Sequence, residues 1–352
     1  MAYKCSVCSR DSSFRCTICK AAIYCGRECQ AEDHEKHKQI CKSVRRLTDV
    51  ISSEKATLRA SLDVDLFSNE SVNFWEHPET RLYMRTRVLH FRLLNDIGTE
   101  FALREAVTQG KSMIKEGRGN HPEVRYMIPS VYLRLSDPNA LQECYDFMKL
   151  GDVQLEVSNQ RCQSDMCESL YSLYQVDLYN LVALTILKMR LLLQIDQFLT
   201  EFDLLLHATI RPSSSVHTMG GNQGALLSVM SFLLPNYTCF ANKKIAQLRV
   251  LRATLSDQVQ TLLGVAENSY DKRIWKMLVN PSQLQQQPRN LKYPSKYASR
   301  ILTVALCYIP FFSIESKQSR ALRQFLVNRV GEAPDYKFTV VQGTICVVFA
   351  PW

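Results

Sequence analysis

The sequence predicts a mainly α-helical chain behind a small cross-braced module at its N-terminus. Three observations carry this. Gly and Pro are sparse, at 12 each in 352 residues, which disfavours a β-sandwich with its many tight turns. Apolar residues recur at helical spacing over much of the chain after residue 42. Lastly, the first forty-one residues hold four closely spaced pairs of Cys and His.

The pairs come first in the chain. They read Cys5-x2-Cys8, Cys16-x2-Cys19, Cys25-x3-Cys29 and His37-x3-Cys41. A tetrahedral structural zinc takes four Cys or His ligands, so this set fits two closed sites. The segment has little to bury beyond Ile18, Ile23, Tyr24 and Ile40. So small a core cannot offset chain entropy, and bound metal is expected to supply much of the folding free energy. Disulfides are the alternative, but Met1-Ala2-Tyr3-Lys4 runs into Cys5 without an apolar leader. Seven Cys with one spaced His also suit metal better than paired Cys.

Spacing constrains how the pairs combine. If Gly26 to Cys41 is largely helical, the pair Cys25, Cys29 is one turn long, and so is His37, Cys41. The second pair then lies roughly 120° around and roughly 18 Å along from the first. They cannot share a metal, so each needs one of the two earlier knuckles. The order of ligands, with Tyr24-Cys25 and Cys29-Gln30, resembles the MYND-type zinc finger over residues 5–41. The resemblance implies interleaved structural zincs. Cys5, Cys8, Cys25 and Cys29 would hold the first, and Cys16, Cys19, His37 and Cys41 the second. In relatives that grip proline-rich peptides, the Gln and a Trp four residues later line the groove. Here Gln30 is kept and His34 stands in the Trp position, with less apolar area to stack on proline.

Composition bounds the rest. The chain is 46% hydrophobic and 22% charged, as in ordinary globular proteins. Its formal charge of +9 counts thiols as neutral. Seven zinc thiolates and two zinc ions together add about three negative charges, leaving the finger near neutral. Basic residues are scattered, with Lys36-His37-Lys38 and Arg45-Arg46 the densest runs. Nucleic acid is therefore disfavoured as a partner. Cys144, Cys162, Cys167, Cys239, Cys307 and Cys346 show no pairing signal, which suits a reducing, cytoplasmic or nuclear setting. No stretch reads as a membrane span: the run from Leu178 is stopped after ten residues by Lys188, and Pro235-Asn236 breaks the run from Ala225.

In chain order, Lys42 to about Leu62 continues as a polar helix. An irregular joint with Phe67, Phe74 and Trp75 follows, and Pro78 starts a helix to about Asn95. Three helices come next. They carry Leu103 to Ile114, Val124 to Leu135 and, after Asp137-Pro138, Leu141 to Met148, with Gly151 as the stop. This suggests helical hairpins, either tetratricopeptide-like and α-solenoid-like or an irregular bundle. Leu170 to Ala208 reads as two buried helices broken near Gln194-Ile195-Asp196. Pro212 to Gly224 is expected to be flexible, and Ala225 to Leu234 a short helix. Ile245 to Leu262 is a long amphipathic helix, and Tyr270 to Val279 a short one. Asn280 to Pro294 reads as a linker, then Ser295 to Cys307 and Lys317 to Val330 as helices. Phe338 to Phe349 reads as one strand, or as a hairpin turning near Gln342-Gly343. The expected domains are a finger at 1–42, a linker helix and joint at 43–78, an all-α body at 79–330 and an apolar tail at 331–352.

Some MYND fingers sit in SET-type methyltransferases. The only Asn-His here is Asn120-His121, followed by Pro122, and a strand-rich SET fold does not suit so helical a body. No phosphate loop, Gly-x-Gly-x-x-Gly or nucleophile elbow occurs. The sequence therefore predicts a non-enzymatic adaptor with two structural zincs. Protein or peptide partners would bind the finger, through Gln30 and His34, and the helical body, with no small-molecule substrate or membrane. A RING-like ubiquitin-ligase-associated factor and a nucleic-acid-associated cofactor are the alternatives.

Overall fold

The computed structural model describes residues 3–61, 66–68, 72–117, 122–135, 139–154, 165–168, 177–209, 240, 243–269, 274–279, 308, 317–330, 336–341 and 344–349. The expected flexible segment at 212–224, the helices at 225–234 and 295–307 and the linker at 280–294 lie outside these residues. So do the start of the Leu170 helix and Gln342-Gly343.

The finger opens with two-residue strands β1 (Tyr3–Lys4) and β2 (Asp11–Ser12), paired antiparallel. Helix α1 then runs unbroken from Arg27 to Ser61. The metal-binding helix and the expected polar linker helix are thus one element. No Gly or Pro interrupts it, and Val44 and Leu58 anchor it by burial. After the joint, Pro78–Thr80 forms one 3-10 turn rather than α-helix. There Thr80 donates its hydroxyl to the His77 carbonyl at 2.8 Å and to that of Phe74. Helix α2 (Arg81–Ile97) follows and ends at Gly98, whose φ of 68° lies in the left-handed region that Gly accepts freely. The guanidinium of Arg134 occupies the space that a side chain there would need.

Helices α3 (Glu100–Glu116), α4 (Pro122–Arg134) and α5 (Ala140–Gln154) come next. Each of α2 to α5 packs on the helix before it. In the middle of α3, Gly110 lets Ile128 of α4 approach to where a methyl group would clash. Gly151 does not end α5, which runs on to Gln154. Gly is tolerated inside a helix at a cost of about 1 kcal/mol, so it is a weak stop by itself.

Helix α6 (Leu178–Thr209) is the spine of the body. Asp177 caps it, accepting from the N–H groups of Tyr179 at 2.9 Å and Asn180 at 3.1 Å. The expected break at Gln194-Ile195-Asp196 is absent. Ile195 is buried, and Gln194 and Asp196 flank it half-buried, with Asp196 paired to Arg252. Isolated polar side chains at the edges of a buried stripe do not break the helix's backbone bonds. The expectation that Lys188 ends the apolar run also fails. Leu178–Ala208 is long and apolar enough to cross a membrane, but most of it is buried within the body. The described residues hold no other such helix.

Against α6 lie α4, α5 and α7 (Ile245–Ser269). Short α8 (Ile274–Val279) and α9 (Lys317–Val330) close the far side, with α9 touching both α6 and α8. Tyr126 of α4 stacks on Tyr179 at 4.3 Å and 7°. Strands β3 (Tyr336–Val341) and β4 (Thr344–Phe349) form an antiparallel hairpin, with Val341 opposite Thr344. The fold is therefore mainly α with a cross-braced finger, as expected. A regular array would repeat one packing step along the chain. Here α4 meets α6, but α1–α3, α2–α4 and α3–α5 make no comparable contact among the described residues.

Lys188 shows how α6 holds a charge inside its apolar run. Its residue is fully buried, and its Nζ donates to the carbonyls of Met166 at 2.6 Å and Glu168 at 3.1 Å. Burial pushes the ammonium down to about 8, whereas the unfolded chain keeps that proton to about 10.4. Between those values the unfolded state binds more protons, so stability rises with pH. The urea midpoint should climb between about pH 8 and pH 10 through this linkage. In Lys188→Met that climb should be gone.

Candidate metal centre

Two knuckles are built alike. In each Cys-x2-Cys the chain turns back on itself. The N–H of Ser9 donates to the Cys5 carbonyl at 3.1 Å, and that of Lys20 to the Cys16 carbonyl at 2.9 Å. Ser9 and Lys20 are the non-glycine residues of positive φ among the described residues, each at 59°. That turn aims backbone N–H groups at sulfur. Burial pushes the thiols of Cys5 and Cys16 up, but the N–H groups of Val7 and Cys8, and of Ile18 and Cys19, outweigh it, and both shift down. Arg10 adds a guanidinium, with Nε 3.3 Å from the exposed Cys8 sulfur, and brings that thiol down to about 6.

The other half of each site comes from α1. Cys25 precedes the helix and Cys29 lies in its first turn, where the helix dipole favours a thiolate. His37 and Cys41 lie two to four turns further on. The donor atoms gather into two groups, each with all its atoms within 4.8 Å of one another. One is Cys5, Cys8, Cys25, Cys29 and the other Cys16, Cys19, His37, Cys41. In the first, Cys8 is 3.3 Å from Cys25 and 3.7 Å from Cys29, and Cys25 is 3.5 Å from Cys29. In the second, Cys16 is 3.7 Å from Cys41, and Cys19 is 3.3 Å from His37 Nε2. A tetrahedral zinc with bonds of about 2.3 Å sets its sulfurs about 3.8 Å apart. The donor sets therefore fit two zinc ions, interleaved along the chain.

The electrostatics agree. With no cation between them, crowded thiols resist ionising together. Cys29 is pushed up to about 12, chiefly by Cys25 beside it and then by burial. Cys41 is pushed up to about 12 by burial and by Cys19. A dication reverses that penalty and deprotonates the set. Burial also holds the His37 imidazole down, in the neutral form that coordinates metal.

The two sites sit in different surroundings. The first is the more open, with Cys8 exposed and Cys25 half-buried. The second adjoins the seam with the body. There Thr99, the N-cap of α3, accepts from the Ala102 N–H at 3.1 Å and donates to the Ala21 carbonyl at 2.7 Å. Ala21 itself is buried in the body's core. The Arg15 guanidinium lies 3.8 Å over the Phe101 ring, and Tyr3 meets that ring edge-on at 5.8 Å. Knuckle residues on both sides of Cys16 and Cys19 thus grip α3.

Every ligand singled out in the sequence falls in one of the two quartets. Of the small apolar set, Ile23 and Tyr24 are buried, but Ile18 is 54% exposed within the second knuckle, and Phe14, two residues before Cys16, is 70% exposed. Gln30 and His34 are exposed on α1 one turn apart, with His34 Nδ1 3.1 Å from Glu35. The structure adds Arg10, Arg15 and Thr99, and the Tyr24 hydroxyl, which donates to Asp33 at 2.7 Å. Of the scattered cysteines, Cys144 is fully buried and Cys167 half-buried, and Cys162 lies outside the described residues.

Interleaved quartets on two knuckles and one helix define a cross-braced two-zinc finger. Residues 5–41 match the family model of the MYND finger. No curated protein and no solved structure matches the chain.

Metal analysis of the purified chain should give two zincs per chain. Cys25→Ser should hold one and lose structure around the first site, while circular dichroism of the body stays helical; two retained zincs would refute the pairing. The sites should also differ in their reach. Cys16→Ser should speed amide exchange at Ala102 and Leu103 in the first turn of α3, and Cys8→Ser should leave those amides protected.

Proposed function

We propose that the protein is a non-enzymatic adaptor whose finger and helical body each hold a protein partner. The observation that carries this is the closure of both sites. All eight donors are protein side chains, so neither zinc has an open position for water or substrate. The zincs are then structural, and the finger's chemistry lies on its surface.

That surface offers two features. Phe14 and Ile18 expose apolar area on the knuckle side, and Gln30 and His34 offer hydrogen bonding on the helix side. A peptide laid across the finger would bury the first and be oriented by the second. The imidazole of His34 gives proline rings a smaller platform than indole does. The preferred peptide is therefore anchored by its apolar side chains, with proline secondary. The grip on Thr99 and Phe101 supports a finger that presents this surface at a fixed angle to the body. A reducing compartment, cytosol or nucleus, suits seven zinc thiolates.

Pull-down with mass spectrometry tests the reading. The intact chain is compared with Phe14→Ser, Ile18→Ser and with Cys25→Ser, Cys41→Ser. Partners lost with both pairs place recognition on the finger surface. Partners that survive both place it on the body and make the finger a structural cap. A ubiquitin-transfer assay on the intact chain should show no activity above the double-cysteine variant.

A further inference from the structure

Helix α2 is amphipathic in an unusual sense. Its inner face, with Tyr83, Met84, Val88, Phe91 and Leu94, is buried against its neighbours. Its outer line runs Leu82, Arg85, Leu89, Arg92, Asp96, in steps of three and four residues, so these positions lie one above another. Leu82 is 55% exposed and Leu89 50%. A single exposed leucine is ordinary. Two of them two turns apart on one line form a seam, and the inner packing of α2 has no use for it.

Charge gives the seam a sign. Several arginines on the helices are matched by a carboxylate: Arg45 by Asp49, Arg87 by Glu116, Arg104 by Glu100, Arg249 by Asp203. Arg81 and Arg85 have no ion pair among the described residues. The line is therefore apolar at its centre and basic along its length, with one acid, Asp96, at the C-terminal end.

We infer that the outer line of α2 docks an acidic amphipathic helix of another protein, with apolar residues seven apart seated on Leu82 and Leu89 and carboxylates facing Arg81 and Arg85. This deepens the adaptor reading by naming the body's partner class, and it does not depend on the finger as the first docking surface. Helix-in-groove recognition uses this arrangement of anchors and flanking charge. A second copy of the chain is a poor occupant: two antiparallel α2 lines centred on Leu89 would set Arg85 against Arg92. Nucleic acid would use the arginines but gain nothing from the leucines.

The test uses the full zinc-loaded chain and two fluorescent synthetic peptides. Both are helical with the same leucine seam; one is flanked by glutamates and the other by lysines. The glutamate peptide should bind, and the lysine peptide should not. Leu89→Ser and Arg85→Glu are exposed changes that leave the inner face of α2 intact, as circular dichroism will verify. Each should weaken the glutamate peptide by about tenfold or more, the scale of one well-placed anchor. Arg85→Glu should also improve binding of the lysine peptide. Equal binding of both peptides, binding of neither, or indifference to both substitutions would overturn the inference. So would tight DNA-duplex binding that falls with Arg85→Glu but survives Leu89→Ser. Cys25→Ser separates the two surfaces: it should spare this binding even where finger partners are lost.

Discussion

Like charges held close together are the constraint from which this structure follows. Sulfur atoms sit 3.3 to 3.7 Å apart in the first quartet, and their thiols resist joint ionisation unless a dication lies between them. A segment with so few buried apolar side chains cannot hold that geometry alone. The zincs and the finger's fold are therefore one equilibrium, in which metal binding is folding free energy. The backbone is prepared for it in advance. Two knuckles place their N–H groups on sulfur, and the first turn of α1 brings its dipole to Cys25 and Cys29.

The same helix carries the constraint into the body. Residues 27–61 are continuous, so the residues that bind metal and the residues that pack on α2 move as one element. Thr99 closes the loop from the other side. One hydroxyl caps α3 and fixes the finger's Ala21, so helix formation at α3 and finger docking share an atom. Because the grip falls on the second knuckle, the two zincs are unequal. The first is a local brace near solvent, while the second lies against the wall of a larger core.

How much of this was legible follows from range. The eight ligands were readable because soft ligands at fixed spacing have few other uses, and α1 imposes a rotation that separates its two pairs; which knuckle completes which pair came from the resemblance to the MYND finger. Helices α3, α4 and α7 were readable from apolar period alone. Single residues misled where their local meaning is weak. Gly151 suggested a stop, Gln194-Ile195-Asp196 a break, and Lys188 the end of an apolar run. Gly151 is a weak stop by itself, and the other two sit in contacts far along the chain: Lys188 with carbonyls at Met166 and Glu168, Asp196 with Arg252. The finger–body seam was not legible at all. Thr99 and Ala21 are 78 residues apart, and Arg15 and Phe101 still further, so no local pattern announces them.

A docked finger changes what an adaptor can do. A finger on a free tether raises the local concentration of a partner but sets no orientation. One held by a shared helix and a shared cap fixes the angle between its own surface and the faces of the body. Phe14 and Ile18 on the finger and Leu82 and Leu89 on α2 then belong to one rigid frame, joined through α1 and the Thr99 corner. Two partners on such a frame meet in a defined geometry, and the order already built into the fold is not lost again on binding. In that arrangement zinc does more than fold forty residues. On the adaptor reading proposed above, it would set where the first partner stands relative to the second.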